Sequence, residues 1–204
     1  MNRVAAAFAP IGALLLPLNA LGGIVSGIWL AVIGEWWALG VGLVGLFVSH
    51  FLVSILLMPG LLFAAPAAAL SERGKHGTAM VLAGFSILYT AGLIAVWGIG
   101  VLYFFASRAT AHSVIPLLIW SYGVASGPWS FLASKDQQAG GNEYSAMSTF
   151  FLQLGYVIAI AVVLVSRSLA PAALALAAAM GVNWLLQMAS MRADWRKGAH
   201  VNDF

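Results

Sequence analysis

TAMVLAGFSILYTAGLIAVWGIGVLYFFAS, residues 78–107, holds thirty consecutive positions without a charged side chain. A helix needs about 20 mostly apolar residues to cross the hydrocarbon core of a bilayer. The run exceeds that length, so it predicts one membrane-crossing helix, tilted or projecting beyond the bilayer. Charges bracket it: Arg73 and Lys75 stand before it and Arg108 directly after.

Similar stretches recur on both sides. They predict an all-α integral membrane protein, a single polytopic domain over 1–204 built as a six-transmembrane-helix bundle. The expected spans are 5–33, 38–58 with an interfacial extension over 60–70, 78–106, 113–133, 145–165 and 171–190. Pro59-Gly60 and Pro66 motivate the break in the second stretch, because proline removes a backbone donor and clashes with the preceding turn. Two crossings there would need about 40 residues, more than the stretch offers. Met1–Ala20 carries Arg3 and an apolar run, as a signal peptide would, but the apolar character continues to Ile33. A retained first span is the expectation.

Composition agrees. Hydrophobic residues make up 62% of the chain and charged ones 7%, against roughly a quarter charged in soluble domains. A soluble fold of this size could not hide that apolar surface, whereas lipid solvates it. The net charge of +3 comes from basic groups scattered over loops and a tail, which makes no nucleic-acid groove. The absence of cysteine excludes disulfides and thiolate metal sites.

The basic residues also orient the chain. With both ends on one side, Arg3, Arg73, Lys75, Lys135, Arg192, Arg196 and Lys197 share a face, and only Arg108 and Arg167 lie opposite. The bias of short cytoplasmic loops toward Lys and Arg then places both termini in the cytoplasm. Trp36, Trp37, Tyr103, Trp129 and Trp195 stand where interfacial aromatic anchors belong. The Ala- and Gly-rich composition and short loops suggest a bacterial inner membrane.

Gly23-Ile-Val-Ser-Gly-Ile-Trp29 and Gly123-Val-Ala-Ser-Gly-Pro-Trp129 share the pattern G-x-x-S-G-x-W, and each comes after a proline, Pro17 or Pro116. If spans one to three and four to six are repeats, each has an odd number of crossings and the halves insert in opposite directions. The competing explanation is compositional, since small residues abound in membrane helices. Under either, Gly23, Gly27, Gly123 and Gly127 mark a helix-packing face.

His50 is the only ionisable side chain deep within an expected span. Such a residue faces a cavity, a partner or the bundle interior; it serves a proton or a ligand, or else bonds a neighbouring helix. Asn19 comes after Pro17 and either satisfies the freed backbone or meets a solute. Asn183 and Gln187, four apart, share a helix face and would join Gln153 in an interhelical amide network. The polar loop 134–144 offers Lys135, Asp136 and Glu143 as contact residues, with Glu143 favoured by the N-terminal dipole of the fifth span. Gly40-Val-Gly-Leu-Val-Gly45 matches G-x-G-x-x-G but lies inside an apolar span without a βαβ unit, so it is no nucleotide fingerprint.

No zinc or haem ligand set is apparent, so no cofactor is expected. The carboxylates sit at span edges, in loops or in the tail, which argues against an enzyme; a lipid-processing role for the 134–144 loop is the least favoured reading. Two functions remain. One is a small channel or transporter for an ion or small polar solute. The other is a non-catalytic accessory or scaffold subunit of a larger membrane complex. The expected partners are the lipid bilayer and either further copies of the chain or a membrane complex.

Overall fold

The structure, a computed structural model, describes Leu18, residues 21–138 and residues 143–196, and among these no strand occurs. Seven α-helices succeed one another: α1 (Leu21–Val32), then α2 (Trp36–Leu57), α3 (Leu61–Glu72), α4 (His76–Ala106), α5 (Val114–Gln138), α6 (Glu143–Ser166) and α7 (Leu169–Arg196).

Local chemistry sets the boundaries. α1 and α3 each stop at a glycine in the left-handed region, Gly34 at φ 84° and Gly74 at φ 74°, a conformation that costs side-chain-bearing residues but not glycine. Between α2 and α3 the chain tightens into a 3₁₀ turn over Met58–Gly60, where Pro59 cannot donate to the helix. Lys135 and Asp136, expected in a loop, instead continue α5, which runs to Gln138. The reason is local: nothing breaks the helix between Ser134 and Gln138, and the Gly140-Gly141 pair comes only later. Their side chains, like that of Glu143 at the start of α6, lie outside the described set.

α4 is the central element and packs against α3, α5 and α7. The most extensive pairing is α6 with α7, an antiparallel hairpin turning at Arg167 and Ser168. The main core gathers Phe105, Leu117, Leu118, Tyr156 and Leu176, all nearly or wholly buried. Trp37 reaches it from the start of α2, stacked on Phe105 at 6.1 Å and edge-on to Phe104 at 6.2 Å.

The 3₁₀ break has a defined depth. Ser86 donates its hydroxyl to the Gly60 carbonyl at 3.1 Å, and Ser86 lies about 15 Å along α4 from His76 at ~1.5 Å rise per residue. The stretch read as an interfacial extension over 60–70 is helical and falls largely within α3, which pairs with α4. Gly60 is the N-cap residue of α3, whose carbonyl accepts the first bond of that helix, so the hydroxyl adds a second bond that ties the break to α4.

Two helices, His76–Ala106 and Leu169–Arg192, are long and apolar enough to cross a membrane. Apolar side chains also face outward in numbers a water-soluble fold avoids: Phe47 is 77% and Phe51 76% exposed on α2, and Val44, Val96 and Leu174 are exposed as well. The described charged side chains keep to the two ends of the bundle. Arg73, Lys75 and Arg192 lie toward one end, and Glu35, Arg108 and Arg167 toward the other, none of them buried.

Candidate functional site

Among the described residues, three groups of interior polar side chains tie helices together. On the α6–α7 seam, Asn183 donates through Nδ2 to the Ser148 hydroxyl, and Gln187 donates through Nε2 to the same oxygen at 3.1 Å. The hairpin explains this meeting. Gly155 and Ala179 lie twelve residues either side of Arg167, and a Cβ on Gly155 would overlap that of Ala179. Ser148 sits two turns before Gly155 and so on the same face of α6.

Gln153 is not part of that group. It stands five residues beyond Ser148, about 140° around a helix of 3.6 residues per turn, and so leaves the α7 seam. The expected network of Gln153 with Asn183 and Gln187 is thus replaced by one centred on Ser148. Gln153 is 2% exposed, and its Oε1 is buried without a hydrogen-bond partner among the described residues.

The second group lies between α5 and α6. The Ser121 and Tyr156 hydroxyls are 3.2 Å apart, Ser121 donates to the Leu118 carbonyl at 2.7 Å, and the Tyr122 and Tyr156 rings stand 5.2 Å apart. Gly98 lets α4 approach the Tyr156 ring, 3.6 Å from where its Cβ would be. Tyr156 and Ser121 are absent from the expected site residues, since an isolated Tyr or Ser in an apolar stretch carries no periodic signal.

The third group ties α5 to α1 and α2. Trp120 donates its indole N–H to the Ala38 carbonyl at 2.9 Å, and its ring covers Gly42, where any Cβ would collide with it. Gly27 also meets this ring, 3.3 Å from a would-be Cβ, whereas Gly23 and Gly123 have nothing within 4 Å. Gly127 is helical, with nothing further described. Of the expected packing glycines, Gly27 alone has a close interhelical neighbour among the described residues. Ser26 donates to the Gly23 carbonyl and Ser126 to the Gly123 carbonyl, each at 3.0 Å, a local bond open to any serine in a helix.

His50 belongs to α2, but its side chain is outside the described set, and Asn19 lies outside the described residues. No group of three or more His, Asp or Glu side chains comes together among the described residues.

Two of the cavities on the bundle are lined by described residues. An apolar groove of about 370 Å³ separates α2 from α4 and is lined by Val41, Gly45, Val96, Trp97, Gly100 and Val124. The indole N–H of Trp97 is buried without a partner among the described residues. A mixed cavity of about 440 Å³ lies at one end of the bundle, between the α4–α5 and α6–α7 connections; Ser107, Thr110 and Arg167 line it together with apolar residues such as Val163 and Leu169. No family model, no curated protein and no solved structure matches this chain.

Proposed function

We propose that the chain is an integral membrane protein of six spans with cytoplasmic termini, and that it is a small channel or transporter for an ion or small polar solute. Its setting is a bacterial inner membrane. The lengths of α2, α5 and α6, at 22, 25 and 24 residues, support the further spans, since each amounts to about 33–38 Å at 1.5 Å per residue. The inverted-repeat arrangement belongs to the same proposal. Its two motif helices, α1 and α5, are neighbours, with Gly27 against Trp120 and Gly22 facing Ile119 at 3.6 Å from a would-be Cβ.

The observation that carries the transport reading is Gln153. A buried amide oxygen without a donor costs about 1–3 kcal/mol, and such a cost is accounted for if a solute or an alternative conformation supplies the donor. The broken α2–α3 path supports it too, because interrupted helices expose backbone groups where solutes bind in many carriers. In liposomes, the purified protein is expected to move a solute from a panel of small ions and polar molecules. Gln153→Leu and His50→Ala are expected to change the rate. Sealed vesicles that show no flux over the whole panel contradict the reading.

The Ser148 cluster favours the second reading, an accessory or scaffold subunit. There the interior amides of α7 are taken up by helix packing, as in bundles whose polar groups hold helices together. This reading expects co-purification of other membrane proteins after mild extraction. Recovery as a lone monomer, without crosslinked neighbours in native membranes, contradicts it.

A further inference from the structure

The cavity at the Arg108 and Arg167 end is a place where charge and space coincide. The two arginines of this end are differently engaged. Arg108 is held by its own helix: its guanidinium carbon lies 3.8 Å from the Phe104 ring centre, and Nη1 donates to the Phe104 carbonyl at 3.2 Å. Arg167 lines the cavity, and its guanidinium has no hydrogen-bond or ion-pair partner among the described residues. The described carboxylate of this end, Glu35, accepts from the Trp37 indole N–H. The connections that frame the cavity, 107–113 and 166–168, contain no acidic residue.

We infer that this cavity is an oxyanion-binding site in which Arg167 is the principal ligand residue. The chemical class it fits is a phosphate-bearing group, because a guanidinium presents a planar fork of donors that matches phosphate oxygens. The volume of about 440 Å³ accommodates a phosphate with its attached alcohol and lies in the range of small-molecule sites. The Ser107 hydroxyl at the wall donates to the Phe104 carbonyl at 3.1 Å and Thr110 Oγ1 lies 2.9 Å from Ser113 Oγ, so the uncommitted donors are those of Arg167. The starts of α5 and α7 lie beside it through Val114 and Leu169, where the helix dipole adds to an attraction already present. The oxyanion has two sources, free phosphate or a phospholipid headgroup entering from the adjacent leaflet. The site stands independently of whether any solute crosses the bundle.

Arg167 also sits at φ 51°, a left-handed conformation that asparagine tolerates better than arginine. Arg167→Asn therefore removes the guanidinium while keeping the turn. The test uses the full chain in nanodiscs of zwitterionic phosphatidylcholine, titrated with inorganic phosphate by calorimetry. In parallel, native mass spectrometry counts phosphatidylglycerol retained from mixed nanodiscs. The expected result is binding in one arm at least, weakened tenfold or more by Arg167→Asn and changed less than twofold by Arg108→Gln. Phosphate binding identifies a free oxyanion, and retention of phosphatidylglycerol alone identifies a headgroup. Absence of binding in both arms overturns the inference, as does an equal loss with Arg108→Gln, which marks general surface charge. Arg167→Asn protein that keeps its thermal transition and binds as tightly as the parent overturns it as well.

Discussion

Gly42 shows how much a single position can decide. It is the middle glycine of Gly40-Val-Gly-Leu-Val-Gly45, lies directly under the Trp120 ring and leaves no room for a methyl group. Gly40, two residues earlier, has nothing within 4 Å. Gly42→Ala is therefore expected to destabilise the protein by about 1–3 kcal/mol, the usual cost of overpacking. Gly40→Ala is expected to be neutral or to stabilise by up to ~1 kcal/mol through helix propensity. Thermal unfolding of both variants in the same detergent checks the pair, and equal effects contradict the packing. The sequence excludes the motif as a nucleotide fingerprint from its apolar setting, but it cannot say which glycine a neighbouring ring will cover. That depends on the crossing of α2 with α5, which no local pattern encodes. The same limit explains Gln153 and Ser148: residue type places amides in the interior, while helix rotation and hairpin register decide which of them meet. Counting outward from the Arg167 turn would have paired Ser148 with Gln187, since they stand nineteen and twenty residues away.

Elements arise from apolar length and from breakers. The thirty-residue run 78–107 becomes α4, His76–Ala106, because no proline or charge interrupts it. The break at Pro59-Gly60 is equally legible, as the missing donor and the permissive glycine stand side by side. The position of α3 is less so, because this helix is apolar on several sides and only its pairing with α4 decides where it lies. The Ser86 hydroxyl then ties the Gly60 carbonyl to α4. Ser86→Ala is expected to cost ~1 kcal/mol, the net worth of a typical hydrogen bond. Thr90→Ala, whose hydroxyl bonds within its own helix to the Ser86 carbonyl at 3.0 Å, is expected to cost less. Hydrogen exchange over residues 58–64 provides the local readout. Faster exchange in Ser86→Ala alone agrees, and unchanged exchange contradicts the tie between α4 and the break.

Across the molecule, helices carry apolar surface outward and charge to the ends. In water such a surface would drive association, whereas in lipid it costs nothing and helix contacts rest on close packing and interhelical bonds. The seams fit that regime: Gly155 on Ala179, Gly84 3.1 Å from Met188 where its Cβ would be, and Trp184 donating to the Gly84 carbonyl at 3.0 Å. The segregation of charge is the large-scale feature most directly visible in the sequence, because loops receive whatever the bilayer rejects. Which helices become neighbours is not visible there, since it is written in pairwise packing between distant segments.

The proposed membrane topology can be probed through the natural absence of cysteine, which makes any introduced thiol unique. Single variants Lys75→Cys, Thr110→Cys and Ser168→Cys are labelled in intact cells and in inverted vesicles with a thiol reagent that cannot cross the membrane. Lys75→Cys is expected to react only in inverted vesicles, and Thr110→Cys and Ser168→Cys only in intact cells. Labelling of all three from the same side, or from both, contradicts a bundle whose two ends lie on opposite faces of a bilayer.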